Sequence, residues 1–387
     1  MSPSNVTTWI LGISILLPVR TLVAQETTGP LLEPTGEWRV GRTSLEVVDT
    51  SRTMPDGRGS RRLMLHIWYP ASPDARGVTL PYMEHLEATG NSLSDDELAL
   101  VKTVRTHSYA ARPATPPPTR FPVLLFSHGE QTNAFLYSNL NEDLASHGYV
   151  VIAVDHPGAA LFSAYPDGTV VPYSEAAQNL RQRVIDRAGD LRFVRDQIHT
   201  LELRGRRLEE LVSTRVGVLG HSAGGIAAAL LCQQSPIVVD ACLNLDGRLG
   251  GAPVIIGGGI PAPSRPLMYM TKPFRRLTDA ELRAQGITRD QATKEQDDTW
   301  ARDGRLLSSG AAPSYRVTLY QATHESFSDE ALLREPGDPN NVKVMRTVRA
   351  LIAKFFDTVL TRSQQGDVGS KSDSDVEIEI LVGRRAP

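Results

Sequence analysis

Cysteine is nearly absent from this chain: Cys232 and Cys242 are the two among 387 residues. No further Cys or His pair stands beside them at ligand spacing, so they do not read as a metal site. A surplus of charge is missing as well. Lys and Arg number 41 against 44 Asp and Glu, a net charge of −3, and no basic cluster is interleaved with aromatics. The short basic runs at 58–62 and 204–207 read as solvated turns or helix ends, so a nucleic-acid partner is excluded. Long apolar runs are also lacking. The best, residues 9–19, is too short to span a bilayer and is interrupted by Pro18. It reads instead as the apolar core of a signal peptide over residues 1–24, with Leu22-Val23-Ala24 as the cleavage site. That points to a secreted or periplasmic protein, although no Lys or Arg precedes the core and Arg20 follows it. No cysteine lies at the cleavage point, which excludes a lipoprotein-type anchor.

What the chain does contain is a nucleophile pattern. Residues 218–225 read Val-Leu-Gly-His-Ser-Ala-Gly-Gly, with a short apolar run ahead of Ser222 and an alanine-rich run behind it. A strand turning sharply into a helix forces its turn residue into a strained backbone, which is tolerable only where the flanking positions lack bulk. Gly220 and Gly224 supply that clearance and leave the Ser222 hydroxyl at the tip. The helix beyond it aims free N–H groups and a positive dipole end at the place where an oxyanion would form. A Gly-x-Ser-x-Gly match alone is weak; the strand-like and helix-like flanks are what raise it above a Gly-rich turn.

A serine needs a base, and the base needs a carboxylate to fix its tautomer. Of nine histidines, His324 follows a strand-like alternation at 315–321, where a base belongs in the order nucleophile, acid, histidine. His199 precedes the nucleophile within a helical pattern and reads as an ordinary surface residue. Asp246 ends the apolar run 237–245 and so tops the strand after the nucleophile helix. Its rivals one strand later, Asp279 and Asp290, sit in helical patterns. Thr278 with Glu281 makes a capping box that explains Asp279 as a first-turn residue.

Between these points strands and helices alternate. Strands are expected at 37–48 and 62–70, joined by a hairpin around Asp56-Gly57, and then at 122–127, 149–155, 215–220, 238–245, 266–271 and 315–321. Helices are expected at 134–147, 174–202, 223–234 and about 341–361. Residues 72–120 read as an insertion with a helix capped by Ser94 and Glu97. Such alternation specifies an α/β fold, a mostly parallel sheet flanked by helices on both faces. The catalytic body is one domain over 25–362. The segments 156–173, 248–265 and 272–310 border its catalytic face. The tail from 363 reads as mobile, although Val376, Ile378, Ile380 and Val382 alternate with Glu377 and Glu379 as a strand would.

Three stretches resemble the platelet-activating-factor acetylhydrolase family of α/β-hydrolases (the plasma, type II kind) and its bacterial relatives. They are 121–157 (FPVLLFSHGEQTNAFLYSNLNEDLASHGYVVIAVDHP), the GHSAGG of 220–225 and Leu245-Asp246-Gly247; residues 36–41 and 66–71 add to them. The resemblance runs from about residue 35 to about 360. It implies an α/β-hydrolase fold, an acid after the strand that follows the nucleophile, and Ca²⁺-independent ester hydrolysis through an acyl-serine without a cofactor. The loop Phe126-Ser127-His128-Gly129 is then the source of one oxyanion donor, so the two donors map to the backbone N–H of Glu130 and of Ala223. An apolar residue is usual at the position of Glu130, and a carboxylate there is tolerable only if it points away. His128 reads as structural, its ring holding the loop.

The expectation is thus a carboxylic ester hydrolase with Ser222, Asp246 and His324 as its catalytic set. Its partner is a small-molecule or lipid ester, including short or oxidised phospholipid acyl groups met in transient contact with a membrane or lipid particle. A general or polyester-degrading carboxylesterase is equally compatible, and a silent hydrolase fold used for binding is the rival from another class. Cys232 lies about 15 Å down its helix and Cys242 about 13 Å down its strand, which puts them at similar depth. A helix axis about 10 Å from the strand is wide for a bridge and favours two buried thiols.

Overall fold

A computed structural model describes residues 29–361, apart from 91–92, 116–119, 175–178, 235–238 and 250–261, together with 371–372 and 374–381. The signal-peptide expectation for 1–24 lies outside the described residues. The chain opens with a long hairpin, β1 (Arg39–Thr53) and β2 (Ser60–Ala71), followed by α1 (Asp95–Thr103) and β3 (Ser108–Tyr109). Next come β4 (Phe121–Ser127), α2 (Ser138–Ser146) and β5 (Val150–Asp155), a small ribbon of β6 (Phe162–Ala164) and β7 (Val170–Pro172), and α3 (Leu180–Gln197). A second ribbon, β8 (Glu202–Leu203) and β9 (Arg206–Arg207), leads to β10 (Val212–His221), α4 (Ala223–Cys232), β11 (Ala241–Leu245) and β12 (Leu267–Thr271). The rest is α5 (Asp279–Gln285), α6 (Arg289–Leu307), β13 (Ser314–Leu319), α7 (Glu330–Arg334), α8 (Pro339–Phe356), β14 (Lys371–Ser372) and β15 (Val376–Leu381).

Eleven strands form one sheet in the order β14-β15-β13-β12-β11-β10-β4-β5-β2-β1-β3. The run from β5 to β13 is parallel, while β2 and β15 close it antiparallel on either side. The strand order reverses between β4 and β10, and the carboxyl ends there form the crevice in which such sheets bind ligands.

The residues of the central strands explain the two covered faces. Side chains alternate along a strand, and here both sets are apolar. Val123 and Leu125 of β4 and Val150, Ile152 and Val154 of β5 enter one core with Val184, Ala188, Leu191 and Val194 of α3. Leu124, Phe126, Val151 and Ala153 enter the other with Leu140 and Leu144 of α2 and Val344, Val348, Ile352 and Phe355 of α8.

Several expectations need correction. The helix expected from 174 begins at Leu180, because the Asn179 side chain accepts the Gln182 N–H at 2.9 Å and sets the start there. The helix expected from 134 opens as a 3₁₀ turn, Ala134–Tyr137, and becomes α-helical at Ser138. Cys232 and Cys242 are bonded as a disulfide with Cα atoms 6.1 Å apart. Axis spacing overstated the gap, because a helix backbone has its own radius and both side chains point into the interface. The tail expected to be mobile instead supplies β15, whose Val376 and Ile378 are buried and which pairs with β13 from Ser314↔Leu381 to Leu319↔Val376. A bidentate Arg316–Glu379 ion pair and the Tyr320 hydroxyl, which donates to Glu377 at 2.6 Å, fasten it.

Candidate active site

Ser222 sits between β10 and α4 with φ 54° and ψ −121°, a conformation rarely adopted by a residue with a side chain. The turn is so tight that a Cβ on Gly220 would overlap the Gly224 carbonyl, and one on Gly224 would overlap the carbonyls of Ser127 and His128. The Ser222 N–H donates to Leu245 O at 2.8 Å, tying the elbow to the end of β11.

One residue beyond that strand lies Asp246, also at positive φ (49°). Asn244 aims it: its amide accepts from Gly247 N at 2.7 Å and donates to Gly247 O at 2.9 Å, closing the turn. Asp246 Oδ2 lies 2.6 Å from His324 Nδ1, and Oδ1 accepts from Thr271 Oγ1 at 2.7 Å. Burial works against its charge, but the His324 and Thr271 hydrogen bonds and the Lys272 ammonium, 3.8 Å away, prevail and hold the carboxyl below its ordinary range. His324 stands just past β13 at the head of a 3₁₀ turn, Glu325–Phe327. The Asp–His half of the expected set is therefore formed. Ser222 borders the same cavity of about 590 Å³ as His324 and Asp246, with no hydrogen bond between Ser222 and the ring among the described residues. Such bonds commonly tighten only when substrate binds.

Glu130 and Ala223 both line this cavity. The Glu130 carboxylate is engaged elsewhere, with Oε1 2.7 Å from Arg183 Nε and Oε2 3.1 Å from Arg187 Nη2. Both oxygens of the carboxylate are therefore held by arginines of α3. Asp279 and Asp290 lie in the first turns of α5 and α6; Asp279 pairs with Arg289. His199 is exposed in a 3₁₀ turn, Ile198–Thr200. The rim helices expected within 272–310 are α5 and α6, and Phe274 and Thr299 from this region line the cavity. Among the described residues, no group of three His, Cys, Asp or Glu could hold a metal ion.

Sequence reasoning missed His221 and Tyr137. The His221 ring packs 4.5 Å, centroid to centroid, from that of His324. Burial, aided by the proximity of His324, lowers its pKa to about 3. A neutral ring there places no positive charge against the His324 ring. The Tyr137 hydroxyl meets His221 Nδ1 at 2.9 Å and accepts the Gly129 N–H at 2.9 Å, joining this stack to the loop before Glu130. The only signal for His221 was its place beside Ser222, which says nothing of where its ring turns.

The sheet order, the strained serine at the switch point and the Asp–His pair define a hydrolase of the α/β class. Residues 123–362 match the model of the alpha/beta hydrolase family, and the chain belongs to that family. Residues 31–183 match the model of platelet-activating factor acetylhydrolase, isoform II. A probable 1-alkyl-2-acetylglycerophosphocholine esterase of Arthroderma benhamiae is 29% identical over 272 residues, 64% of this chain and 67% of that one. A platelet-activating factor acetylhydrolase of Bos taurus is 27% identical over 135 residues, 27% of this chain and 30% of its own length. Among solved structures, a ferulic acid esterase from Streptomyces cinnamoneus superposes with a TM-score of 0.68 at 26% identity, covering 90% of this chain and 98% of that one. The family resemblance read from the sequence holds, and the chain is a carboxylic ester hydrolase.

Proposed function

We propose that Ser222 is the nucleophile, His324 its general base and Asp246 the carboxylate that orients His324. Ser222 Oγ bonds to the ester carbonyl carbon as its proton passes to His324 Nε2. The carbonyl oxygen, now negative, takes hydrogen bonds from the N–H groups of Glu130 and Ala223. Collapse breaks the carbon–oxygen bond to the alcohol, which leaves with the proton from His324. Water repeats the sequence on the acyl-serine and restores the hydroxyl. The observation that carries this reading is the 2.6 Å Asp246–His324 pair, facing the same cavity as a serine held at φ 54°.

Short acyl esters of glycerophospholipids are the substrate class we favour, from the likeness to the glycerophosphocholine esterase and to the acetylhydrolase model. The likeness to a ferulic acid esterase over 90% of the chain favours a second reading, a general carboxylesterase. We further propose export after removal of residues 1–24; the Cys232–Cys242 disulfide supports an oxidising compartment, and no described helix is long and apolar enough to cross a membrane. A serine-directed fluorophosphonate tests the chemistry. Labelling of folded protein at Ser222 is expected, and no label would favour a silent fold used for binding. An ester panel graded by acyl length and head group then separates the two substrate readings.

A further inference from the structure

A second Ser, His and Asp meet behind the oxyanion loop, and no step of the proposed reaction uses them. Ser127 Oγ lies 2.9 Å from His156 Nε2, and His156 Nδ1 lies 2.8 Å from Asp190 Oδ2. Residue types and spacing match a nucleophile set, but all three are 0% exposed, so no ester reaches them. Their protons can be assigned. Asp190 also binds Arg61 through Nε and Nη2 at 2.6 and 2.7 Å and Arg52 Nη2 at 2.8 Å, while Arg52 shares its charge with Asp49 at 2.6 Å. Two arginines against two carboxylates close the charge count without a histidinium. Asp190 therefore accepts from the His156 Nδ1–H, and Nε2 is left to accept from the Ser127 hydroxyl.

The same residues reach the oxyanion loop. The His156 backbone N–H donates to His128 Nε2 at 3.2 Å, and the two rings pack 5.1 Å apart. With Nε2 accepting, the His128 proton is on Nδ1, which donates to Gly129 O at 2.6 Å. Thr132 Oγ1 donates to that carbonyl at 3.0 Å, and Arg187 Nη1 holds the neighbouring His128 O at 2.6 Å. Gly129 C=O and Glu130 N–H belong to one rigid trans peptide plane and point in opposite directions. Fixing the carbonyl toward His128 and Thr132 thus fixes where the amide hydrogen points.

We propose that Ser127, His156 and Asp190, acting through His128, form a positioning relay that aims the Glu130 N–H at the oxyanion. They are positioning residues, not catalytic ones, and the inference rests on the hydrolytic reading above. The relay also links the first hairpin, through Arg52 and Arg61, to the rate of the reaction. Because an aimed donor matters most when the oxygen carries full charge, loss of aim lowers kcat more than it raises KM.

The test uses the full chain with p-nitrophenyl acetate and a short-chain trifluoromethyl ketone, which Ser222 converts to a bound oxyanion. His156→Phe and His128→Phe are expected to lower kcat at least tenfold with KM within about twofold, and to weaken the ketone by the same factor as kcat/KM. In His128→Asn the amide N–H takes the place of Nδ1 and is expected to recover most of kcat. Ser127→Ala removes a single oxygen and covers the case in which the phenylalanine variants do not fold; it is expected to move kcat and ketone affinity together. Unchanged kcat in folded variants, or a fall in kcat without a matching loss of ketone affinity, would overturn the relay. A wild-type protein that neither cleaves the ester nor binds the ketone would overturn the hydrolytic reading first, and the relay with it.

Discussion

Two kinds of aspartate and histidine separate in this molecule, and burial is what separates them. Asp246 and His324 border a cavity, and the His324 side chain is 41% exposed, so it can exchange protons with substrate and water. Asp246→Asn is expected to cost roughly a thousandfold or more in turnover, since an amide presents the wrong partner to Nδ1. Asp279→Asn and Asp290→Asn, on the rim helices, are expected to leave it near wild type; the reverse pattern in steady-state assays would withdraw Asp246. His156 is the opposite case. Burial outweighs its Asp190 hydrogen bond and lowers its pKa to about 4, whereas an unfolded chain protonates histidine near 6.5. Between those values the unfolded state binds the extra proton, so acidification disfavours folding. The stability difference between wild type and His156→Asn is therefore expected to narrow, or move against wild type, by about 1.4 kcal/mol per unit as pH falls from 6.5 to 4. Urea unfolding at several pH values measures it, and a gap independent of pH would contradict the assignment. His156 was legible in the sequence only as the start of a segment near the catalytic face. Its inward turn depends on Asp190 and Arg61, which are distant in the chain.

At the level of elements, the clearest sequence signals were those with a local cause. The elbow glycines, the capping boxes at Ser94 and Thr278, and the continuous apolar runs of β4 and β5 all follow from neighbours within a few residues. Gly224→Ala illustrates the tightness of one such cause. The added methyl meets the backbone carbonyls of β4 and its following loop, which cannot swing aside as a side chain could. A destabilisation of about 3 kcal/mol is expected, with loss of fluorophosphonate labelling because α4 and Ser222 must shift; labelling at the wild-type rate would show that the elbow has slack. Signals with distant causes were less clear. The alternation at 376–382 had no partner visible in the sequence, and the partner is β13, some sixty residues earlier. Likewise the Glu130 carboxylate could be assigned no direction until α3 brought Arg183 and Arg187 to it.

Across the whole molecule, the sheet joins two cores and ends in an edge guarded by a late segment. A chain ending at Thr361 lacks β15 and bares the backbone of β13, the strand that leads to His324. Losing the buried Val376 and Ile378 is expected to cost about 3 kcal/mol or more, and an unpaired edge invites strand addition from another copy. A lower Tm with concentration-dependent light scattering would bear this out; an unchanged Tm would mean that β15 is dispensable. The floor and the rim of the cavity differ in construction. The floor consists of backbone turns locked by buried polar contacts, and the Cys232–Cys242 bond ties α4 to β11. The rim, from Lys272 through α6, carries mostly side chains that water can reach. Changes of ester preference therefore have a natural address: the exposed side chains of α5 and α6, which can vary without altering the buried Leu282, Ala292, Asp303 and Leu307 that seat the two helices.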